Sequence, residues 1–505
     1  MKKINSMFLT AMLSIFGTLS VNAQAVDTVY VPLADQANPL YFLPLPPDSA
    51  SLEYGDDLIQ YQWGKSQRNT PRGKQASDES LWDASAMRIV MQQVLGLDTI
   101  SDEATPALSR LLVKAYNTGS QSTDYAKNNY TRKRPFLRMN DELWAKYDTD
   151  FLRTNSSYPS GHTAFGWATA LIFAEMWPQL QDTILRRGFQ FGENRIITGA
   201  HYQSDVTAGY LCAAAAVAHA HTNPELQKDI VAARSEYAQL KGLTADYDPS
   251  EGVDVPHGEK ILNNPVDTAS YRYITDLTRH WDAKSLRDTP RGDQAKEEAE
   301  YSEEMMYKVF GEAINITINK TTTPAICDLI AFVLQKSSET ADRLKPLRFR
   351  KRPFVQLGEP SSVPGDEEKE RGKSSFPSGH TNLGWSEALT MAEVAPDCQN
   401  EILRRGYEYG YNRLIVGYHW FTDIEATRQL SSSLIARLHA DATFQELMQK
   451  AKEEYKKVVT GIEFLPELAP VMIQTGMYTI DGRRITTPPD SGVFIENGTK
   501  KMMTK

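Results

Sequence analysis

The sequence predicts an all-α protein: two tandem helical-bundle modules followed by a short β-rich tail. Three observations carry that prediction. Apolar residues recur at helical spacing through most of the chain. One set of polar motifs occurs twice at a nearly fixed interval, and strand-type alternation is confined to the C-terminus.

Taken in order, Lys2 and Lys3 precede an apolar run from Met7 to Val21 and small residues at Ala23 and Ala25. That is the tripartite pattern of an export signal, so residues 1–25 are read as a signal peptide and the mature protein as periplasmic or secreted. No later segment approaches the ~18 uncharged apolar residues of a membrane helix, so no integral membrane association is expected. Leu40–Pro47 reads as an extended segment wrapped on a surface. Thr105-Pro106 and Thr323-Pro324 are helix starts with Pro at the first helical position. Leu108, Leu111, Leu112 and Ala115 follow the first as a core face, and Ile326, Leu329, Ile330 and Val333 follow the second.

The repeat fixes the domain organisation. Lys127 and Lys345, His162 and His380, Arg195 and Arg413, His201 and His419, and Asp205 and Asp423 are each 218 apart (345 − 127, and so on). Leu185-Arg-Arg-Gly188 and Leu403-Arg-Arg-Gly406 keep that spacing, and Thr70-Pro-Arg-Gly73 and Thr289-Pro-Arg-Gly292 nearly do. The expected divisions are a first module over 26–245, a linker over 246–264, a second module over 265–460 and the tail over 461–505. In the tail, Met477–Thr486 and Gly492–Gly498 read as short strands around Asp-Gly and Asn-Gly turns.

The net charge of −9 gives no bulk field for nucleic acid, and no nucleic-acid partner is expected. Cys212, Cys327 and Cys398 occupy no shared positions in the two halves and form no metal-type spacing, so they read as small packed residues.

Three motifs recur in both modules. The first is Lys127-x6-Arg134-Pro135, matched by Lys345-x6-Arg352-Pro353, each inside a basic run. Arg132 and Lys133 of the first run read as a solvated face. The second is Pro159-Ser160-Gly161-His162, matched by Pro377-Ser378-Gly379-His380, each leading into an apolar helix. There Ser caps, and the N–H groups of Ser and Gly open an anion cradle at the helix N-terminus. The third is Arg195-x5-His201-x3-Asp205, matched by Arg413-x5-His419-x3-Asp423. If the His opens a helix, the Asp lies one turn on, where it can hold the imidazole in one tautomer.

Each module thus offers one Lys, two Arg, a helix N-terminus, a His with a carboxylate and a His without. Three fixed cations would repel a divalent metal, and an acyl transfer has no use for three. A five-coordinate phosphoryl group with three charged equatorial oxygens needs them. The expected roles follow: His201 attacks phosphorus and carries it as phosphohistidine, Asp205 orients it, and His162 protonates the leaving group and then activates water. Lys127, Arg134, Arg195 and the N–H groups of Ser160 and Gly161 bind the phosphate. His419, Asp423, His380, Lys345, Arg352, Arg413, Ser378 and Gly379 repeat these roles. No metal and no cofactor is expected, and the rate should follow a bell centred at about pH 5–6.5.

In this order the three motifs resemble the signature of the phosphatidic acid phosphatase type 2 superfamily. The Leu-Pro-Leu-Pro-Pro segment, Gly417-Tyr-His-Trp420 and the signal peptide make the chain most similar to the bacterial class A non-specific acid phosphatases. The resemblance covers about residues 40–245 and 265–455. It implies an all-α fold, metal-free hydrolysis of small-molecule phosphomonoesters, and a dimer that the duplication would recreate as an intramolecular pseudo-dimer. Two departures stand out: Asn194 and Asn412 replace the Ser that usually precedes the motif Arg, and Ala200-His-Tyr replaces Tyr-His-Trp in the first module. The same residue set also serves vanadium-dependent haloperoxidases, which hold vanadate as a phosphate mimic. A further alternative is a phosphatase in which one module is a silent scaffold acting in binding or surface attachment.

Overall fold

Four helices form the core of each module, and the reason lies in their apolar faces. In the first module they are α1 (Pro106–Gln121), α2 (Gly161–Met176), α3 (Gln181–Ile197) and α4 (Gln203–Ala220). In the second they are α5 (Pro324–Leu344), α6 (Gly379–Val394), α7 (Gln399–Ile415) and α8 (Phe421–Leu438). The structure is a computed structural model that describes residues 28–147, 150–244, 250 and 252–460, together with four short strands beyond them. The proposed signal peptide lies outside the described residues.

Helix α2 is apolar all round, and every one of its residues is buried. Such a helix can only be central. It packs against α1, α3 and α4, and α6 packs the same way against α5, α7 and α8. The repeated Leu-Arg-Arg-Gly motif is explained by these crossings. A Cβ at Gly188 would collide with Ala170, and one at Gly406 with Ala388, so only glycine lets α3 and α7 approach their central helices so closely.

The two modules belong to one compact unit that extends to Lys452. Helix α8 lies against α2, and α4 lies against α6. Trp167 Nε1 in α2 donates to Ser432 Oγ in α8 at 3.2 Å. Arg272 stands 3.6 Å from both Asp56 of the first module and Glu425 of the second. The leader of the first module reaches across as well: Gln399 Nε2 donates to Asp35 O at 2.9 Å, and the Phe42 and Trp385 rings lie 6.5 Å apart. The expected surface wrap is therefore largely a bridge to the other module.

The linker also packs. His257 pairs with Asp182 at 2.7 Å, and Val255, Ile261 and Leu262 are buried. At the expected helix starts Pro106 and Pro324 take the first position, but the Thr105 and Thr323 hydroxyls turn away from the helix. They donate instead to Ser101 O and Asn319 O, four residues back. Cys212 and Cys327 are buried, as small packed residues should be. In the tail, β1 (Met477–Thr479), β2 (Arg484–Ile485), β3 (Gly492–Glu496) and β4 (Thr499–Met503) pair antiparallel in the order β2-β1-β3-β4.

One buried group in the second core is anomalous. Glu387 in α6 is fully buried, and neither of its oxygens has a hydrogen-bond partner. The first module has Thr169 at this position (387 − 218), and its hydroxyl donates to Phe165 O at 2.8 Å. Burial holds the Glu387 carboxyl well above its ordinary value of 4.5, so the folded chain keeps a proton that the unfolded chain sheds. Stability should therefore fall as pH rises above about 4.5. Glu387→Thr should raise stability by about 1–3 kcal/mol at neutral pH. Thermal unfolding at pH 5 and pH 8 checks it: the gap between variant and wild type should widen at pH 8.

Candidate active site

In each module one helix N-terminus, one turn and one short loop converge. Ser160 caps α2, its Oγ accepting from Thr163 N at 3.3 Å and from Thr163 Oγ1 at 2.9 Å. Ser378 caps α6 with the same two contacts. These occupy both lone pairs, so the hydroxyl hydrogen is left for a ligand. The backbone N–H groups expected to join the cradle divide at this point. Ser160 N donates to Asp205 O at 2.9 Å and Ser378 N to Thr427 Oγ1 at 3.0 Å, so neither points at an anion. The cradle is corrected to the Ser hydroxyl with the first-turn N–H of Gly161 or Gly379, which have no acceptor within their own helices.

The second His of each site follows a turn that needs glycine. Gly199 and Gly417 have φ of +77° and +84°, a left-handed conformation that an L side chain rarely takes. The chain then reverses, so that His201 and His419 stand just before α4 and α8 rather than inside them. His201 Nε2 lies 2.8 Å from Arg134 NH1, and His419 Nε2 lies 3.1 Å from Arg352 NH1. A guanidinium can only donate, so Nε2 is the bare nitrogen and Nδ1 carries the hydrogen in both.

The two Nδ1 groups find different partners. His201 Nδ1 is 3.6 Å from Asp205 Oδ2, the expected pairing. His419 Nδ1 donates instead to Ser375 O at 2.6 Å, while Asp423 Oδ2 accepts from Ser375 Oγ and from Trp420 N. Asp423 thus orients the second imidazole only through the Ser375 segment. The charge states follow. Burial alone would raise both carboxyls, but Arg132 and His201 hold Asp205 well below the usual range. Asp423 lacks the imidazole contact and burial leaves it raised.

Arg132, expected on a solvated face, is instead the buried strut of the site. Its two terminal nitrogens meet Asp205 Oδ1 and Asp57 Oδ2, each at 2.5 Å. Arg350 does the same for Asp423 and Asp276, at 2.6 and 2.5 Å. Lys133 is exposed as expected. The reason for the difference is burial: two carboxylates cannot be enclosed without a countercharge. The signal was present in the sequence, since Arg-Lys-Arg-Pro recurs at 132–135 and 350–353. Ser157 and Ser375, Asp57 and Asp276, and Glu79 and Glu298 were also missed.

Glu79 and Glu298 explain the unusual Asn. Arg195 NH2 donates to the carbonyls of Ala76 and Glu79 at 3.2 and 3.1 Å, and Arg413 NH2 to those of Ala295 and Glu298 at 3.1 and 3.2 Å. The Glu79 carboxylate accepts from Asn194 Nδ2 at 2.7 Å and Arg187 at 2.5 Å. The Glu298 carboxylate accepts from Asn412 and Arg405, each at 2.6 Å. Asn therefore braces the segment that aims the motif Arg, and the Arg of the Leu-Arg-Arg-Gly repeat braces it from α3 and α7.

The remaining groups complete the pocket. Lys127 Nζ donates to Ser156 O at 2.9 Å, and a Cβ at Gly161 would stand 3.6 Å from Lys127 Cε. Lys345 Nζ takes the same place beside Gly379 and pairs with Asp342 at 3.2 Å. His162 Nε2 faces the Ser80 and Leu81 carbonyls at 3.3 and 3.1 Å, which leaves its Nδ1 bare and without a partner. His380 Nε2 faces Ala299 O at 2.9 Å. Every motif residue expected from the sequence is thus placed in one of two pockets.

Crowding these cations has a clear electrostatic result. Lost hydration and neighbouring Arg134 push the Lys127 ammonium down to about 7. Burial lowers Arg134 to about 10 and Arg195 to about 9. Burial and Arg134 lower His201 to about 3, while burial, Arg195 and His201 hold His162 well below the ordinary imidazole value. The pocket is built for a negative charge.

The two pockets differ at the rim. Arg134 NH2 donates to Asn155 Oδ1 at 2.7 Å, whereas Arg352 NH2 meets the Glu370 carboxylate at 2.7 Å. The His162 ring packs edge-on against Trp82 at 4.7 Å, and Trp82 packs against exposed Phe151 at 6.1 Å. At the second pocket Tyr301 lies 5.0 Å from His380, its hydroxyl 2.8 Å from Ser338 Oγ.

A known family profile, that of the PAP2 superfamily, matches the chain twice, over residues 107–227 and 326–444. A non-specific acid phosphatase of Providencia stuartii is 38% identical over 216 residues, spanning 43% of this chain and 87% of that protein. One from Salmonella typhimurium is 32% identical over 246 residues, spanning 48% of this chain and 98% of its own length. An acid phosphatase of Zymomonas mobilis is 35% identical over 217 residues, 43% of this chain and 80% of that protein. Each relative is nearly spanned by less than half of this chain.

The buried strut generates a specific expectation. Arg132→Gln leaves Asp57 and Asp205 without their shared countercharge and should destabilise the fold by about 3–5 kcal/mol. Urea unfolding at neutral pH checks the magnitude, and Lys133→Gln, on the exposed neighbour, should fall within about 0.5 kcal/mol of wild type.

Proposed function

The chain belongs to the PAP2 superfamily, and from that premise we propose that it is an acid phosphatase with one active site in each module. It hydrolyses small-molecule phosphomonoesters without a metal, through a phosphohistidine. The observation that carries this reading is the bare Nε2 of His201 and of His419, each beside a donating guanidinium within a cluster of cations. A divalent metal would be repelled by the same groups that welcome a phosphate dianion.

The steps follow from the chain's own atoms. The substrate phosphate enters against Lys127, Arg134, Arg195, the Ser160 hydroxyl and Gly161 N–H. His201 Nε2 attacks phosphorus in line, its Nδ1 hydrogen held toward Asp205, which stabilises the cationic ring. His162, protonated at Nδ1 as the phosphate binds, gives that proton to the leaving oxygen and, now neutral, removes one from the water that cleaves the phosphorus–nitrogen bond. His419, His380, Lys345, Arg352, Arg413, Ser378 and Gly379 act likewise in the second module, where Ser375 O holds the Nδ1 hydrogen and Asp423 acts through the Ser375 segment. There Arg352 must leave Glu370 to bind phosphate, so the second pocket should favour different leaving groups.

The duplication supports an intramolecular pseudo-dimer, each module filling the place of a second subunit. The N-terminal pattern supports export to the periplasm or beyond, and among the described residues no helix is long and apolar enough to cross a membrane.

Turnover of a chromogenic phosphomonoester tests the two-site reading. His201→Ala and His419→Ala should each remove only one module's share, and the double variant should lose at least about 10³-fold. A single variant that abolishes all turnover overturns it. His162→Ala combined with His380→Ala should cost about 10²–10⁴-fold.

Proton linkage gives an independent check. An oxyanion in the pocket raises the values of Lys127 and His162, so binding must take up protons between their free and bound values. Calorimetry of phosphate binding near pH 7, in buffers of different ionisation enthalpy, should show that uptake. The same sign makes the rate decline toward alkali, as the acid form of His162 is lost, while His201, already neutral above about 3, places the acid limb low.

A further inference from the structure

A second symmetric cluster lies where the modules meet and takes no part in the phosphate chemistry. Glu175 and Glu393 share the repeat spacing, as do His221 and His439 (393 − 175 and 439 − 221, each 218). All four side chains are buried. The two imidazoles stack with centroids 3.5 Å apart and planes inclined by 10°. His221 Nε2 lies 2.7 Å from Glu175 Oε2, and His439 Nε2 lies 3.2 Å from Glu393 Oε2.

Several independent features point to a cation. One ligand atom each from Glu175, His221 and His439 lies within 4.8 Å of the other two. His221 Nδ1 donates to Val217 O at 2.8 Å, the kind of outer contact that fixes a metal-binding imidazole and turns its other nitrogen toward the ligand position, here beside Glu175. His439 Nε2 is buried without a hydrogen-bond partner, its approach to Glu393 being off the bonding direction. The outer carboxylate oxygens are held from behind, Glu175 Oε1 by Gln227 at 2.9 Å and Glu393 Oε1 by Lys452 at 2.6 Å. His221 and His439 cap the C-terminal ends of α4 and α8, where the helix dipoles favour positive charge.

We propose that this cluster is a structural divalent-metal site that joins the two modules, with Glu175, His221, His439 and Glu393 as ligands. Glu175, His221 and His439 already converge, and Glu393, 3.2 Å from His439, would supply the fourth ligand of a tetrahedral set that suits zinc. Binding replaces the hydrogen shared by His221 Nε2 and Glu175 with the metal, and that proton leaves to solvent.

The full chain, stripped with a chelator and dialysed against Zn²⁺ or Co²⁺, provides the test. The expected result is one metal per chain by elemental analysis, a visible Co²⁺ spectrum of tetrahedral intensity and a raised Tm. His221→Gln with His439→Gln should abolish all three and leave phosphomonoester turnover within about twofold. Because the phosphate pockets also hold imidazoles, the Co²⁺ spectrum should survive unchanged in the His201→Ala, His419→Ala double variant. If the imidazole variants fail to fold, Glu175→Gln should still weaken Co²⁺ affinity at least about tenfold. A chain that retains no metal, or a Co²⁺ spectrum indifferent to substitutions in the cluster, overturns the proposal.

Discussion

A guanidinium clamped between two buried carboxylates holds each candidate pocket in shape. Arg132 binds Asp205 on the site side and Asp57 on the helix Glu53–Gln67, and Arg350 binds Asp423 and Asp276. Asp205 and Asp423 cannot stand alone in a dry interior, and each also caps the helix that follows His201 or His419. One interaction thus fixes the helix start, the tautomer support of the first site and the docking of an outer helix. It also reaches the seam between the modules, because Asp56, next to Asp57, shares Arg272 with Glu425. Charge balance in each pocket and packing across the seam are therefore one problem with one solution.

The two copies have diverged where the shared chemistry allows it. The two His, the Lys and the two Arg are the same, but the support of the second imidazole of each motif set runs through Asp205 in one and Ser375 O in the other. The rim of the first pocket is aromatic and neutral, with Trp82, Phe151 and Asn155. That of the second places the Glu370 carboxylate on Arg352. A carboxylate there would compete with any anion for Arg352, a constraint the first pocket does not carry at Arg134.

Much of this was readable from the residues alone, for a physical reason. Helical periodicity, Gly at close crossings and motif spacings are local signals, and duplication doubled each of them. The helix starts and turns that carry the motifs were legible because Pro-Ser-Gly-His leads into a capped helix and Gly-x-His into a turn. What escaped detection was burial. A basic run looks solvated until the fold encloses it, which is how Arg132 was misread while Lys133 beside it was not. The Ser160 N–H was expected to face an anion, but whether a donor is free depends on Asp205 O arriving from another helix. Glu370 was beyond reach for a different reason: it comes from a loop whose sequence the other copy does not share.

The leader of the first module has a wider consequence. Its Asp35 carbonyl binds Gln399, its Asn38 N–H binds Asn400, and its Phe42 lies against Trp385, all in the second half, while Tyr158 of the first half holds Pro44. A gene split at the linker would deliver one fragment with an unclaimed arm and another with a bared tryptophan. The two halves repeat one another in sequence, yet each covers surface that the other would otherwise leave bare.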